Sequence, residues 1–275
     1  MAGPEPRLYR RFDRFDRVLH GLLMISFFGL SLTGLPLLFN TSPWASRIAH
    51  ALGGFQVAGL LHRLSAMLLI GVFAAHLGRV AKRLVVDRDL AVLWGPSSMV
   101  PQPRDAVELY RHVKWFLGRG PRPSFGRFTY WEKFDYLAVF WGMGAIGLSG
   151  LMLWFPTAFA RLVPGWVFNI ALLVHGEEAL LAVVFIFTVH FFNTHMRPEK
   201  FPMDAVIFTG RVTETELRNE RPDEYAALAA AGRLDAAAVG PAPPWTLSLG
   251  RAVGVSALAV GFTLVALIVT ALLSR

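Results

Sequence analysis

The sequence predicts an all-α integral membrane protein, a four-helix bundle with a fifth transmembrane helix after it. Composition is the first observation: the 275 residues are 54% hydrophobic, with a mean hydropathy of +0.47, too apolar for an ordinary soluble domain. The second is that the apolar residues gather into five runs, Val18–Phe39, Phe55–Val80, Phe134–Phe155, Val167–Phe192 and Leu247–Leu273. Each is long enough to cross ~30 Å of hydrocarbon as a helix. The third is the distribution of the net charge of +8. Five arginines from Arg7 to Arg17 precede the first run, eleven Lys/Arg lie from Arg79 to Lys133, and seven from Arg197 to Arg251. The connections between these groups carry little beyond Arg47 and Arg161. That asymmetry predicts a cytoplasmic N-terminus, two long cytoplasmic loops and a C-terminus outside. It also turns the basic charge away from nucleic acid.

The first run follows a basic segment but is too long, and lacks the small-residue cleavage site, for a removed signal peptide. In the segment before it, Arg and Asp alternate with Phe, as expected of an interfacial lead into a helix. Gly29 and Gly34 in this run suit either close helix packing or room for a flat macrocycle. His50, in the short first external connection, reads as a surface residue. The loop from Asp87 to Lys133 holds an amphipathic piece, Asp105–Leu117, expected on the membrane surface, with His112 solvated. The loop closes on Gly126–Tyr136, where polar and aromatic residues meet the third run. The glycine-rich stretch Gly142–Gly150 allows packing or close approach to a cofactor. Thr213 and Glu216 have the spacing of a capping box. An Ala-rich piece follows Pro222, and Gly240–Pro244 breaks it before the fifth run, which reads as a peripheral anchor.

There is no cysteine. Disulfides, thiolate-held iron–sulfur clusters and covalent c-type haem are therefore excluded. Any redox cofactor is then held by histidine, methionine, oxygen ligands or noncovalent packing. His62 and His76 on the second run are 14 residues apart, and His175 and His190 on the fourth are 15 apart. As helices these spacings give rises of ~21 and ~22 Å with offsets of only about 40° and 60°. Each helix thus carries one imidazole near each side of a bilayer, His20, His76 and His190 at cytoplasmic depth and His62 and His175 at external depth. Ionisable groups inside a membrane are expensive and mark function. Two antiparallel helices with matched histidines suit two bis-histidine haems, one above the other. Two distant groups are poorly suited to a closed zinc site. Glu177 and Glu178, one turn past His175, suit hydrogen bonding to a ligand histidine, proton handling, or a polar face toward a partner.

At this point the chain resembles the membrane cytochrome b subunits of respiratory formate dehydrogenases and membrane-bound nickel–iron hydrogenases, within the bacterial dihaem cytochrome b561 superfamily. The resemblance rests on Phe15–His20 (FDRVLH), Leu61–His62, His175, His190 and Gly126–Lys133 (GRFTYWEK), and it covers about residues 10–215. It implies a dihaem four-helix domain over residues 1–215 and omits the fifth run; the residues themselves read on as a cytoplasmic linker over 216–246 and a fifth helix over 247–275. The resemblance further implies two haem b groups, with His62 and His175 holding the outer one and His20 and His190 the inner. His76 departs from the pattern and competes with His20 for His190. The leftover histidine would serve a haem propionate, a quinone site or, with His195, a third haem. Gly126–Lys133 resembles the segment near the family's quinone site, making Thr129, Tyr130, Glu132, Lys133 and His190 the candidate lining.

The implied role is electron transfer across a bacterial inner membrane between a periplasmic redox partner and the quinone pool. That partner would be a dehydrogenase, a hydrogenase or a multihaem cytochrome c. The chain would carry no dehydrogenase site of its own. Two other readings stay open: a standalone cytochrome b561-type quinone oxidoreductase, and a haem-free proton-coupled transporter or assembly protein whose histidines relay protons.

Overall fold

The computed structural model describes residues 7–274. The protein is 74% helical with almost no sheet. In chain order the elements that matter are β1 (Leu8–Arg10), α1 (Arg14–Leu38), α2 (Pro43–Ala51), α3 (Phe55–Val86), α4 (Pro103–Phe116), α5 (Tyr130–Trp154), α6 (Trp166–Met196), β2 (Arg211–Thr213), α7 (Glu214–Glu220), α8 (Pro222–Ala230), β3 (Ala238–Val239) and α9 (Pro244–Leu273). Among the described residues, α1, α3, α5, α6 and α9 are long and apolar enough to cross a membrane. The chain is an all-α, multi-pass membrane protein.

Local chemistry explains the helix boundaries. The Asp13 carboxylate accepts from the Asp16 N–H at 2.9 Å and so caps α1. Thr213 and Glu216 form the expected capping box at the start of α7. Pro222 and Pro244 stand at the first positions of α8 and α9, where a missing N–H costs nothing. α1, α5 and α9 begin three or four residues before their apolar runs, and α3 and α6 end four to six residues after theirs, because polar and aromatic residues there still satisfy helix geometry while reaching the interface.

The chain divides into two compact units. Among the described residues, one comprises residues 18–75, 139–204 and 248–274, and the other residues 7–17, 76–138 and 205–247. The first is the membrane bundle. Its apolar centre joins Leu35 and Phe39, Ala45 of α2, Val183, Phe187 and Phe191 of α6, and Ala257, Leu264 and Ile268 of α9. Gly261 of α9 lets Phe187 and Phe191 approach so closely that a Cβ there would meet both rings at 2.8 Å. In lipid such fitted contact, rather than expulsion of water, holds helices together. The fifth span is therefore no peripheral anchor. A third of its most apolar window is buried, a larger share than on any other span.

The second unit carries a feature that no periodicity announced, a small antiparallel sheet in the order β2–β1–β3. Leu8 pairs with Thr213 and Val239, and Tyr9 with Val212 and Ala238. Tyr9 is 2% exposed. The segment expected only to lead into a helix is thus the central strand. Gly210, at φ +72°, makes the turn into β2, and any Cβ there would strike the Phe12 carbonyl at 2.6 Å.

Candidate functional site

Within the membrane bundle, α3 and α6 bring His62 and His175 together, their ring centroids 6.2 Å apart and nearly perpendicular. The Thr33 hydroxyl donates to the Gly29 carbonyl at 2.6 Å. Having one proton, it can only accept from His62, whose Nδ1 lies 3.0 Å away. His175 Nδ1 lies 3.0 Å from the Ile146 carbonyl, which can only accept, with the Ser149 hydroxyl at 3.4 Å. Both rings therefore carry their proton on Nδ1 and keep the Nε2 lone pair for a metal.

The backbone makes room for each ring. A Cβ on Gly34 would meet His62 Cε1 at 3.0 Å, and one on Gly150 would meet His175 Cε1 at 2.9 Å. The glycine-rich stretch of α5 also takes a π-turn over Met143–Gly147. Such a turn breaks the regular hydrogen-bond ladder, and the Ile146 carbonyl within it is the one that His175 uses. Gly29 instead faces Ser65, while Gly144 meets nothing within 4 Å.

At the other level of the same bundle, His20 of α1 is within electrostatic reach of His190 of α6. His20 Nδ1 is buried with no hydrogen-bond partner, a costly arrangement for an isolated ring. His190 ends one π-wound segment of α6, Ile186–His190, and His195 lies within the next, Phe192–Met196. His195 is 7% exposed, donates from Nδ1 to the Pro202 carbonyl at 2.8 Å and rests on Phe191. Glu178 accepts from the Trp141 indole at 3.0 Å, and Glu177 is exposed. The group that orients His175 is thus a carbonyl rather than either carboxylate.

The remaining sequence candidates lie in the second unit. His76 Nε2 and the Tyr136 hydroxyl are 2.9 Å apart. Thr129 and Glu132 cap α5, the Thr129 N–H and hydroxyl each donating to Glu132 at 2.8 Å. Arg221 reaches the other Glu132 oxygen at 3.0 Å and Arg11 at 3.5 Å. Arg11 and Arg127 share Glu224. Burial pushes the Arg11 guanidinium down to about 10, which leaves it charged at neutral pH. Lys133, 3% exposed, is paired with Asp105 at 2.8 Å. Tyr130 meets His112 at 3.0 Å.

His112 is not solvated as the sequence suggested, since Trp115, Phe116, Phe125 and Trp131 also surround it. Its aromatic neighbours on α5 are distant in sequence, so α4 alone gave no sign of them. His50 donates within its own helix to the Ser46 carbonyl.

Sequence reasoning missed Thr33, the Ile146 carbonyl, Ser149 and Tyr136. The signal for Thr33 was a hydroxyl directly beside Gly34 in an apolar run. The carbonyl had none. Among the described residues no group of three or more His, Asp or Glu converges, so a metal held here would take most of its ligands from a cofactor. No family model and no curated protein matches the chain.

Proposed function

We propose that the protein is a membrane-bound b-type cytochrome subunit that passes electrons between a periplasmic redox partner and the quinone pool. The His62–His175 pair carries this reading. Their centroid separation of 6.2 Å leaves room for one metal ion that both imidazoles would hold, at metal–nitrogen bonds of about 2 Å. The tautomers imposed by Thr33 and Ile146 support it, as does the glycine beside each ring. The orphaned His20 Nδ1 near His190 supports a second site of the same kind. Bis-histidine haem supplies one-electron chemistry without an open coordination position.

What the chain contributes is orientation. Thr33 and Ile146 hold their rings by Nδ1, which fixes ring angle and would raise the basicity of Nε2 toward a haem iron. Gly34 and Gly150 keep the rings upright. The charge asymmetry supports an inner-membrane protein with its N-terminus in the cytoplasm. On the quinone side the four residues Thr129–Lys133 named from sequence already serve internal partners.

Purified protein reduced with dithionite should show a b-type band and two haems per chain. Absence of that band sinks the reading and favours a haem-free proton relay. Gly150→Ala should cost occupancy of one haem or shift its midpoint potential, while Gly144→Ala leaves both unchanged. Spectroscopic redox titration of the two variants distinguishes these outcomes.

A further inference from the structure

Helix α4 is built inside out. Its acids face the protein: Asp105 is 8% exposed and Glu108 6%. Lys133 neutralises Asp105, and Arg104 reaches Glu108 at 2.8 Å. Burial raises the Glu108 carboxyl above its ordinary value. The opposite face carries Val107, Tyr110, Val113 and Leu117, at the three- and four-residue spacing of one helical stripe. They are 46, 64, 46 and 62% exposed. With both acids turned inward, the charges left around that stripe are Arg111, Lys114, Arg119 and Arg122, all exposed. Lys114 lies over the Tyr110 ring at 5.7 Å and Arg122 over Trp115 at 5.9 Å, placing cations directly beside apolar surface.

A water-facing helix would show the reverse pattern. A surface that joins an apolar stripe to cations alone is complementary to acyl chains beneath phosphate headgroups. We propose that α4 docks on a bilayer of anionic phospholipid, its Val107–Leu117 stripe at the acyl boundary and its four cations on lipid phosphates. The inward ion pairs serve this by withdrawing the two acids that would repel the headgroups. The proposal stands apart from the haem reading, since it uses none of the histidines.

The natural absence of cysteine makes the test clean. Full-length Val113→Cys and Ala236→Cys variants are labelled with a fluorophore in nanodiscs of phosphatidylglycerol with phosphatidylcholine, or of phosphatidylcholine alone. Ala236 is an exposed position outside the stripe. The label at 113 should be quenched by doxyl lipid and shielded from iodide, and the label at 236 should show the reverse. Quenching at 113 should be stronger with phosphatidylglycerol. Adding Arg111→Gln and Lys114→Gln should weaken docking about fivefold per charge removed. Iodide access at 113 equal to that at 236 overturns the proposal. Shielding of 113 from both quenchers also overturns it, by placing a protein there. Equal docking in both lipids overturns the anionic preference.

Discussion

Replacing His62 with Ala should leave one haem per chain instead of two. His62 is held through Nδ1 by Thr33, and His175 through Nδ1 by the Ile146 carbonyl. If the pair holds a haem as proposed, loss of either imidazole would leave it one protein ligand. The His20–His190 level uses different residues and should keep its haem. A pyridine haemochrome assay against protein concentration gives the ratio directly, and His175→Ala should match it. Thr33→Val is the finer probe. It removes the acceptor but not the ligand, so haem should be retained with an affinity lower by about 10–100-fold, the usual size of an outer-ligand effect. If His62→Ala keeps two haems at unchanged potentials, the assignment of this pair is wrong.

Replacing Lys133 with Met should cost about 3–5 kcal/mol, because it strands the Asp105 carboxylate without its partner. The two side chains are 4% and 10% exposed, so water cannot repair the loss. For a chain of this size that corresponds to a fall of roughly 10 °C in apparent Tm. Lys133→Met with Asp105→Asn should recover most of it. The amide removes the stranded charge, and its oxygen can still accept the Gln102 N–H that the carboxylate now accepts. Thermal unfolding of both variants in one detergent checks this. A single variant within about 1 kcal/mol of the parent would mean that the pair contributes little. The double variant also separates roles, since a quinone-binding Lys133 would leave it stable but defective.

The five spans were legible because crossing a bilayer needs a long unbroken apolar helix, a property of contiguous sequence. The capping box at Thr213 was legible for the same reason, since its partners lie three residues apart. Histidine spacing along α3 and α6 fixed which face of each helix carries its imidazoles, because the helical repeat is a local constant.

Partners from other helices were decided only by folding. Thr33 comes to His62 from α1, and a carbonyl in a π-turn of α5 comes to His175. The Arg11–Glu132–Arg221 cluster joins residues as much as 210 positions apart. Strands of two or three residues form a sheet because Leu8–Arg10 meets Arg211–Thr213, though neither has a repeat long enough to read. The fifth helix belongs to the bundle centre because Gly261 admits two phenylalanine rings. Sequence determined which segments are helices and which faces carry nitrogen. Tertiary structure decided which nitrogen of each outer ring stays free, because that depends on what the other nitrogen touches across the bundle.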